Sequence, residues 1–129
     1  SMMCRAQDIR LTCVCNDIPL KFMKDSDVYN LFGNAVDNAM RAVAPLEKGK
    51  RVISIAIKRR ASIMSVNIRN WYVGELTFVD GLPYTTSVED GYHGFGMLSM
   101  REIVERYSGE FVVSAERGVF ELNILFFNV

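Results

Sequence analysis

Arg51–Arg60 and Ser62–Asn70 each alternate apolar and polar residues, and that alternation allows little except a strand with one dry face. Ile53, Ile55 and Ile57 share one face of the first segment, and Met64, Val66 and Ile68 share one face of the second. The two are joined tightly enough to form a hairpin. A second alternating pair, Glu110–Ala115 and Val119–Phe127, closes the chain, and Ile9–Cys15 reads as a further strand near its start. Strands with one dry face need something to cover them, and two helical stretches can do so. The first follows Asp25 and Ser26, which offer N-caps, and runs to about Ala44, where Pro45 stops it. The second follows Gly94–Gly96, carries Met97, Met100, Ile103, Val104 and Tyr107 as an apolar stripe, and has Gly109 as its C-terminal cap. Asp17 to Lys24 is a connection and Glu47–Lys50 a polar turn. The order strand, helix, two strands, loop, helix, two strands predicts an α+β fold. It would be a two-layer α/β sandwich, with a mixed, mainly antiparallel sheet covered on one face by helices.

The chain has 129 residues, the size of one domain, taken here as residues 2–129 with Ser1 a remnant of tag removal. Fifteen Lys and Arg balance fifteen Asp and Glu, so the formal net charge is zero. That balance argues against nucleic acid or a membrane surface as partner, since both call for a basic excess. No apolar run approaches the roughly 20 residues of a membrane helix, and no signal peptide is visible. Three cysteines, Cys4, Cys13 and Cys15, make a poor disulfide framework and lack the companions of a zinc site. They are expected to be small buried residues in a reducing compartment.

The first helix is unusual on its polar side. Val28, Leu31, Phe32, Ala35, Val36, Ala39, Met40 and Val43 occupy one half of the helix, and Asn30, Asn34, Asp37, Asn38 and Arg41 cluster on the other. A solvated face ordinarily uses Lys, Glu and Gln. Asn and Asp each cost up to about 0.7 kcal/mol relative to Ala in a helix interior. Short carboxamides and a carboxylate are, however, what a hard cation and its bound waters coordinate. A plain solvated face and a metal–phosphate face both stay open on this pattern alone.

Gly33-Asn34-Ala35-Val36-Asp37-Asn38-Ala39 closely resembles the N box of the GHKL ATPases, the group that includes DNA gyrase, heat-shock chaperone ATPases, histidine kinases and mismatch-repair proteins. The Asp before the second Asn is similar to the Agr-type quorum-sensing kinases. The resemblance implies the Bergerat ATP-binding fold, with ATP and Mg²⁺ as ligands. It implies Asn38 as the Mg²⁺ ligand. It puts Asn34 where histidine kinases place Asn or His, and Arg41 where many place a phosphate-contacting Lys. Asn34 and Asn38 are thereby the candidate catalytic residues.

His93-Gly94-Phe95-Gly96-Met97 precedes the second helix. Glycines at a helix start let backbone N–H groups approach an anion, and the helix N-terminus adds about half a unit of positive charge. Glycines are also common in turns, so the pattern alone is weak. The longer string through Gly109 is similar to the second glycine box of Agr-type kinases, which implies ATP-binding roles for His93, Gly94, Phe95, Gly96 and Met97. Leu98 departs from the family, which often has Lys or Arg there. Most of the family has Asp-x-Gly-x-Gly for adenine; here the corresponding residues are Asn70-Trp71-Tyr72, with the glycines absent. Asn70 is the candidate adenine reader, since its amide oxygen can accept the hydrogen bond that the Asp accepts. The alternative is a strand-end Asn that closes a turn.

Residues 71–93 form a candidate lid with Asp80-Gly81 and Asp90-Gly91 as turn signals. Its aromatic residues Trp71, Tyr72, Phe78 and Tyr84 are expected to pin the loop to the domain's own core, with packing over a nucleotide or a partner domain as the alternative. Taken together, the resemblance implies the catalytic domain of a sensor histidine kinase. Such a domain passes the γ-phosphate of ATP to a histidine on a separate dimerisation domain of the same parent, and through it serves a response regulator. It implies a cytoplasmic domain of a membrane-anchored parent. A GHKL module that binds a nucleotide or a partner without transfer activity is the alternative. A serine kinase of the anti-sigma type ranks low, because those carry the full Asp-x-Gly-x-Gly.

Overall fold

The computed structural model describes residues 8–16, 20–84 and 95–129, with only the backbone of Tyr84 and Phe95. In chain order the elements are β1 (Arg10–Cys15), α1 (Asp25–Val43), a single 3-10 turn (Lys48–Lys50), β2 (Val52–Arg60), β3 (Ile63–Trp71), β4 (Thr77–Val79), β5 (Leu82–Tyr84), α2 (Phe95–Arg106), β6 (Glu110–Glu116) and β7 (Val119–Phe126). Five strands form one sheet in the order β1-β2-β3-β7-β6. β1 runs parallel to β2 and every other pairing in this sheet is antiparallel. Both helices lie on one face of the sheet, as the alternation requires, so the mixed, mainly antiparallel two-layer fold is what forms.

The covered face is built from the alternating residues. Ile53 and Ile55 of β2, Met64, Val66 and Ile68 of β3, and Phe120, Leu122, Ile124 and Phe126 of β7 are all buried. Against them pack Leu31, Ala35, Ala39, Met40 and Val43 of α1 and Met97, Met100, Ile103 and Val104 of α2. Burial of this apolar surface is the main favourable term in folding.

Three local expectations are corrected. The N-cap of α1 is Lys24, with no side-chain cap, and Asp25 is already helical. Asp25 and Asp27 sit in the first turn instead, where negative charge favours the helix dipole. At the end of α2 it is Ser108, not Gly109, that takes the left-handed conformation, with φ 58°. Gly109 has a different reason to be glycine: a Cβ there would stand 2.6 Å from the Leu125 carbonyl oxygen and 2.8 Å from Val104 Cγ1. Cys13 and Cys15 are exposed, not buried. They share a face with Ile55 and Ile57, their register partners, but β1 is the edge strand and its whole length is exposed. Cys4 lies outside the described residues.

The helices are tied at one end by a polar cluster. Asp27 is only 6% exposed. Its Oδ1 accepts a hydrogen bond from Arg106 Nη1 at 2.7 Å, and its Oδ2 accepts one from the Tyr107 hydroxyl at 2.5 Å. The same hydroxyl accepts from the Lys24 backbone N–H at 3.0 Å. The Tyr107 bond, with the Arg106 guanidinium, outweighs burial and holds the Asp27 carboxyl below its ordinary value. The Tyr107 hydroxyl is pushed above its own ordinary value, chiefly because it donates to Asp27.

Candidate functional site

Register and connectivity decide which end of the sandwich carries the site. The short connection after Val43 leads to Val52, so the C-terminal end of α1 lies at the starting end of β2. A hydrogen bond from Arg51 Nε to the Leu46 carbonyl, at 2.7 Å, closes that connection. Ile53 pairs with Asn70, so the end of β3 is at the same end of the sheet. α2 leads through Tyr107–Gly109 into β6, and Glu110 pairs with Leu125 near the end of β7, which is the opposite end. The N-terminus of α2 therefore points back toward the end that holds the C-terminal half of α1 and Asn70.

The helices are antiparallel, since Asp27 at the start of α1 touches Arg106 at the end of α2. From Arg106 back to Phe95, and from Asp27 forward to Asn38, is the same number of residues. At about 1.5 Å per residue that places the α2 N-terminus roughly level with Asn38. The first four N–H groups of a helix have no partner within it, and they carry its partial positive charge. Gly96 is half-buried in that first turn. Met97 is wholly buried in the core, backbone included. His93 and Gly94 lie outside the described residues, as does the side chain of Phe95.

On α1, Asn34 and Asn38 are half-buried and one turn apart, whereas Asp37 is exposed. The Arg41 guanidinium bonds Asp37 Oδ2 at 2.9 Å across a helical turn, with both side chains about half exposed. Arg41 is thus held along the helix surface beside Asn38. Among the described residues no three His, Cys, Asp or Glu side chains converge on a point. Mg²⁺ bound through a carboxamide, waters and phosphate oxygens needs no such group.

Asn70 is the clearest polar anomaly. It continues the dry face of β3 beyond Ile68, and its register neighbours are Ile53 and Phe120. It is 4% exposed. Its Nδ2 donates to the Trp71 carbonyl at 2.9 Å, while its Oδ1 is buried with no partner among the described residues. Reversing the amide would set oxygen against oxygen at Trp71, so the hydrogen bond fixes the assignment. A buried acceptor without a partner costs about 1–3 kcal/mol, and such a cost at one end of a helix–sheet cleft marks a place for a donor.

The described part of the lid, residues 71–84, holds a short hairpin where the sequence suggested an irregular loop. Asp80 and Gly81 take positive φ, 54° and 79°, as the two central residues of a primed hairpin turn do, and join β4 to β5. Arg101 of α2 clamps this hairpin by donating to the Asp80 carbonyl at 2.7 Å and meeting its carboxylate at 3.3 Å. Leu82 is buried. Tyr72 packs against the core, but Trp71 and Phe78 are exposed, so Leu82 and Arg101 do much of the anchoring expected of the aromatic residues. The Asp80-Gly81 pair between Phe78-Val79 and Leu82 was the sequence signal for the hairpin; the Arg101 clamp left none. Two shallow cavities, about 220 and 370 Å³, meet at Trp71, and neither is lined by Asn34 or Asn38. Asn70 lines the smaller one together with Val52, Ser54, Arg69, Trp71 and Val119, most of which belong to the uncovered face of the sheet. Residues 85–94, the rest of the candidate lid, lie outside the description.

The GHKL domain family matches residues 23–127. The chain belongs to that family. The solved structures agree on the fold of this GHKL domain. A nucleotide-free form of the catalytic domain of the histidine kinase ThkA superposes with a TM-score of 0.72 at 15% identity, over 98% of this chain and 84% of that one. Another nucleotide-free form gives 0.72 at 14% identity, over 98% and 85%. The histidine kinase AdeS of Acinetobacter baumannii gives 0.67 at 11%, over 97% of this chain and 57% of its own. The GHKL chain thus spans a little over half of the AdeS structure. No curated protein matches by sequence. No helix among the described residues is long and apolar enough to cross a membrane.

Proposed function

We propose that this GHKL domain is the ATP-binding catalytic domain of a sensor histidine kinase of the Agr type. It would transfer the γ-phosphate of ATP to a histidine on a dimerisation domain of its parent protein, which would sit at the cytoplasmic side of a membrane and serve a response regulator. The observation that carries the reading is the unpartnered Oδ1 of Asn70, buried at the same end of the cleft as Asn38 and the α2 N-terminus. An exocyclic amine is the donor that this oxygen lacks, and adenine supplies one. The same residues fit Mg²⁺ with phosphate. Asn38 and Asn34 offer oxygen ligands to the ion or its waters, and the first turn of α2 at Gly96 offers N–H donors to phosphate oxygens. Bound there, the metal would neutralise charge that builds up during transfer. Arg41, already held by Asp37, would add positive charge beside the phosphates. Phosphoryl transfer of this kind depends mostly on positioning and charge, and the attacking nitrogen belongs to the incoming histidine, so no strong base is required in this chain. Asn34 would orient that imidazole or a water. Titration calorimetry with Mg-ATP tests the reading, with binding expected at micromolar to millimolar nucleotide; no heat at millimolar Mg-ATP rejects it.

A nucleotide-sensing module without transfer activity is the second reading. Leu98 supports it, since it stands 42% exposed on the first turn of α2 where relatives often carry a basic residue. Radiolabelled ATP with a supplied histidine-bearing helical domain separates the two: label on the histidine favours the kinase, and binding without label favours the module.

A further inference from the structure

The proposed nucleotide site sits at one end of two antiparallel helices, and a charged cluster, with Asp27 buried and Arg106 about half exposed, sits at the other. Such a pair is weak evidence for stability, because desolvation of the buried partner can cancel the attraction; the best attested use of buried charge is to specify register. Hydrophobic attraction between the apolar stripes of α1 and α2 is non-directional, so it sets their register only through the fit of side chains. The Asp27 cluster adds directional bonds. Both carboxylate oxygens are bonded to the end of α2, by Arg106 at 2.7 Å and Tyr107 at 2.5 Å. Tyr107 in turn holds the Lys24 N–H at the start of α1, so its hydroxyl joins the two helix ends by a donor and an acceptor bond at once. Phe22 walls the cluster, edge-on to Tyr107 with ring centres 6.0 Å apart, and also packs on Phe126. None of these residues lies at the nucleotide end.

We propose that the Asp27–Tyr107–Arg106 cluster is a positioning device that sets how far the N-terminus of α2 stands along α1, and so aligns the phosphate-facing N–H groups with Asn38. The proposal rests on the nucleotide-site reading above. A slip of one residue moves the α2 N-terminus by about 1.5 Å along α1. Misplacement of about 1 Å at a reacting centre can cost on the order of a hundredfold in rate. Adenine recognition is insensitive to such a slip, because Asn70 belongs to the sheet and not to either helix.

The test compares Mg-ATP with adenosine on the whole chain, reading adenosine by chemical-shift titration, in wild type, Tyr107→Phe and Asp27→Asn. Tyr107→Phe removes a single oxygen and keeps the ring against Phe22, and circular dichroism verifies that each variant is folded at the assay temperature. Expected for Tyr107→Phe is Mg-ATP affinity lower by about tenfold, roughly the worth of one N–H to phosphate hydrogen bond put out of line, with adenosine affinity within about twofold of wild type. Asp27→Asn keeps an acceptor for Tyr107 or Arg106 and should recover part of the loss. A merely structural cluster predicts equal loss for both ligands, or none for either, and each of these results overturns the proposal. Wild type failing to bind Mg-ATP rejects the nucleotide site itself, a different outcome from wild-type binding with Tyr107→Phe unchanged.

Discussion

Replacing Asn70 with Leu should make the protein more stable and blind to adenine. Leu and Asn are close in shape, so the substitution opens no cavity of consequence. It removes the buried Oδ1 that has no partner, which is worth about 1–3 kcal/mol. It also removes the bond from Nδ2 to the Trp71 carbonyl, a loss of about 1 kcal/mol. Trp71 is 42% exposed at the end of its strand, so water can take over the freed carbonyl. The balance is a stabilisation of about 1 kcal/mol, or roughly 3–5 °C in Tm for a domain of this size. Mg-ATP affinity should fall by about five- to thirtyfold, the worth of one hydrogen bond at a buried site. Calorimetric melting without ligand and titration with Mg-ATP read the two effects separately. A Tm lowered by several degrees with Mg-ATP affinity unchanged would refute the reasoning. It would mean that the oxygen already has a partner in the free protein and that its role is structural.

Gly109→Ala should destabilise by about 1–3 kcal/mol in a urea titration, because the new methyl meets a β7 carbonyl oxygen at 2.6 Å and backbone cannot step aside cheaply. Stability should also depend on Asp27 in acid. Its folded pKa is depressed below the ordinary 3.8, so its contribution is complete above about pH 4 and is lost as pH falls through the folded value. Tm measured from pH 6 to pH 2 should therefore fall less steeply in Asp27→Asn than in wild type, and parallel curves would count against this. Cys13 and Cys15 should both react with a thiol reagent in the native protein, on a Cys4→Ser background, at rates close to those of a free peptide. Arg101→Ala should speed amide exchange across the β4–β5 hairpin while leaving exchange in α1 unchanged, since Arg101 bonds the hairpin and not α1.

Period-2 alternation is local, so the faces of β2, β3, β6 and β7 could be read from the sequence, and so could the apolar half of α1. Strand order is not local. Nothing in Ile9–Cys15 says that it pairs parallel with β2 at the edge of the sheet. That is why the cysteines were misjudged: parity put Cys13 and Cys15 on the correct face, but the helices do not reach the strand that carries them. Asp27 was invisible for a related reason. It looks like any first-turn acid, and its partners lie about eighty residues away. The carboxamide stripe and the glycine turn could be recognised because both are short contiguous strings. Asn70 was a candidate from its position, but that its oxygen lacks a partner among the described residues is visible only in the fold.

The fold places its costs unevenly, and the pattern has a physical reason. At the far end of the sandwich Asp27 is satisfied on both oxygens and Gly109 packs with no room for a methyl. At the near end Asn70 keeps a buried acceptor unused, and the N-terminus of α2 carries backbone donors that no helical carbonyl can satisfy. Closing those groups with apolar side chains or a capping residue would stabilise the free domain. It would also fill the donor and acceptor positions that a nucleotide needs. The unsatisfied groups, one on the sheet and the others on α2, lie at one end, and the bonds that join the two helices lie at the other, where bonding is complete without touching the ligand site. Gly109→Ala and Asn70→Leu therefore act in opposite senses on stability, and Tyr107→Phe, which reaches the site only through the helices, should act on phosphate alone.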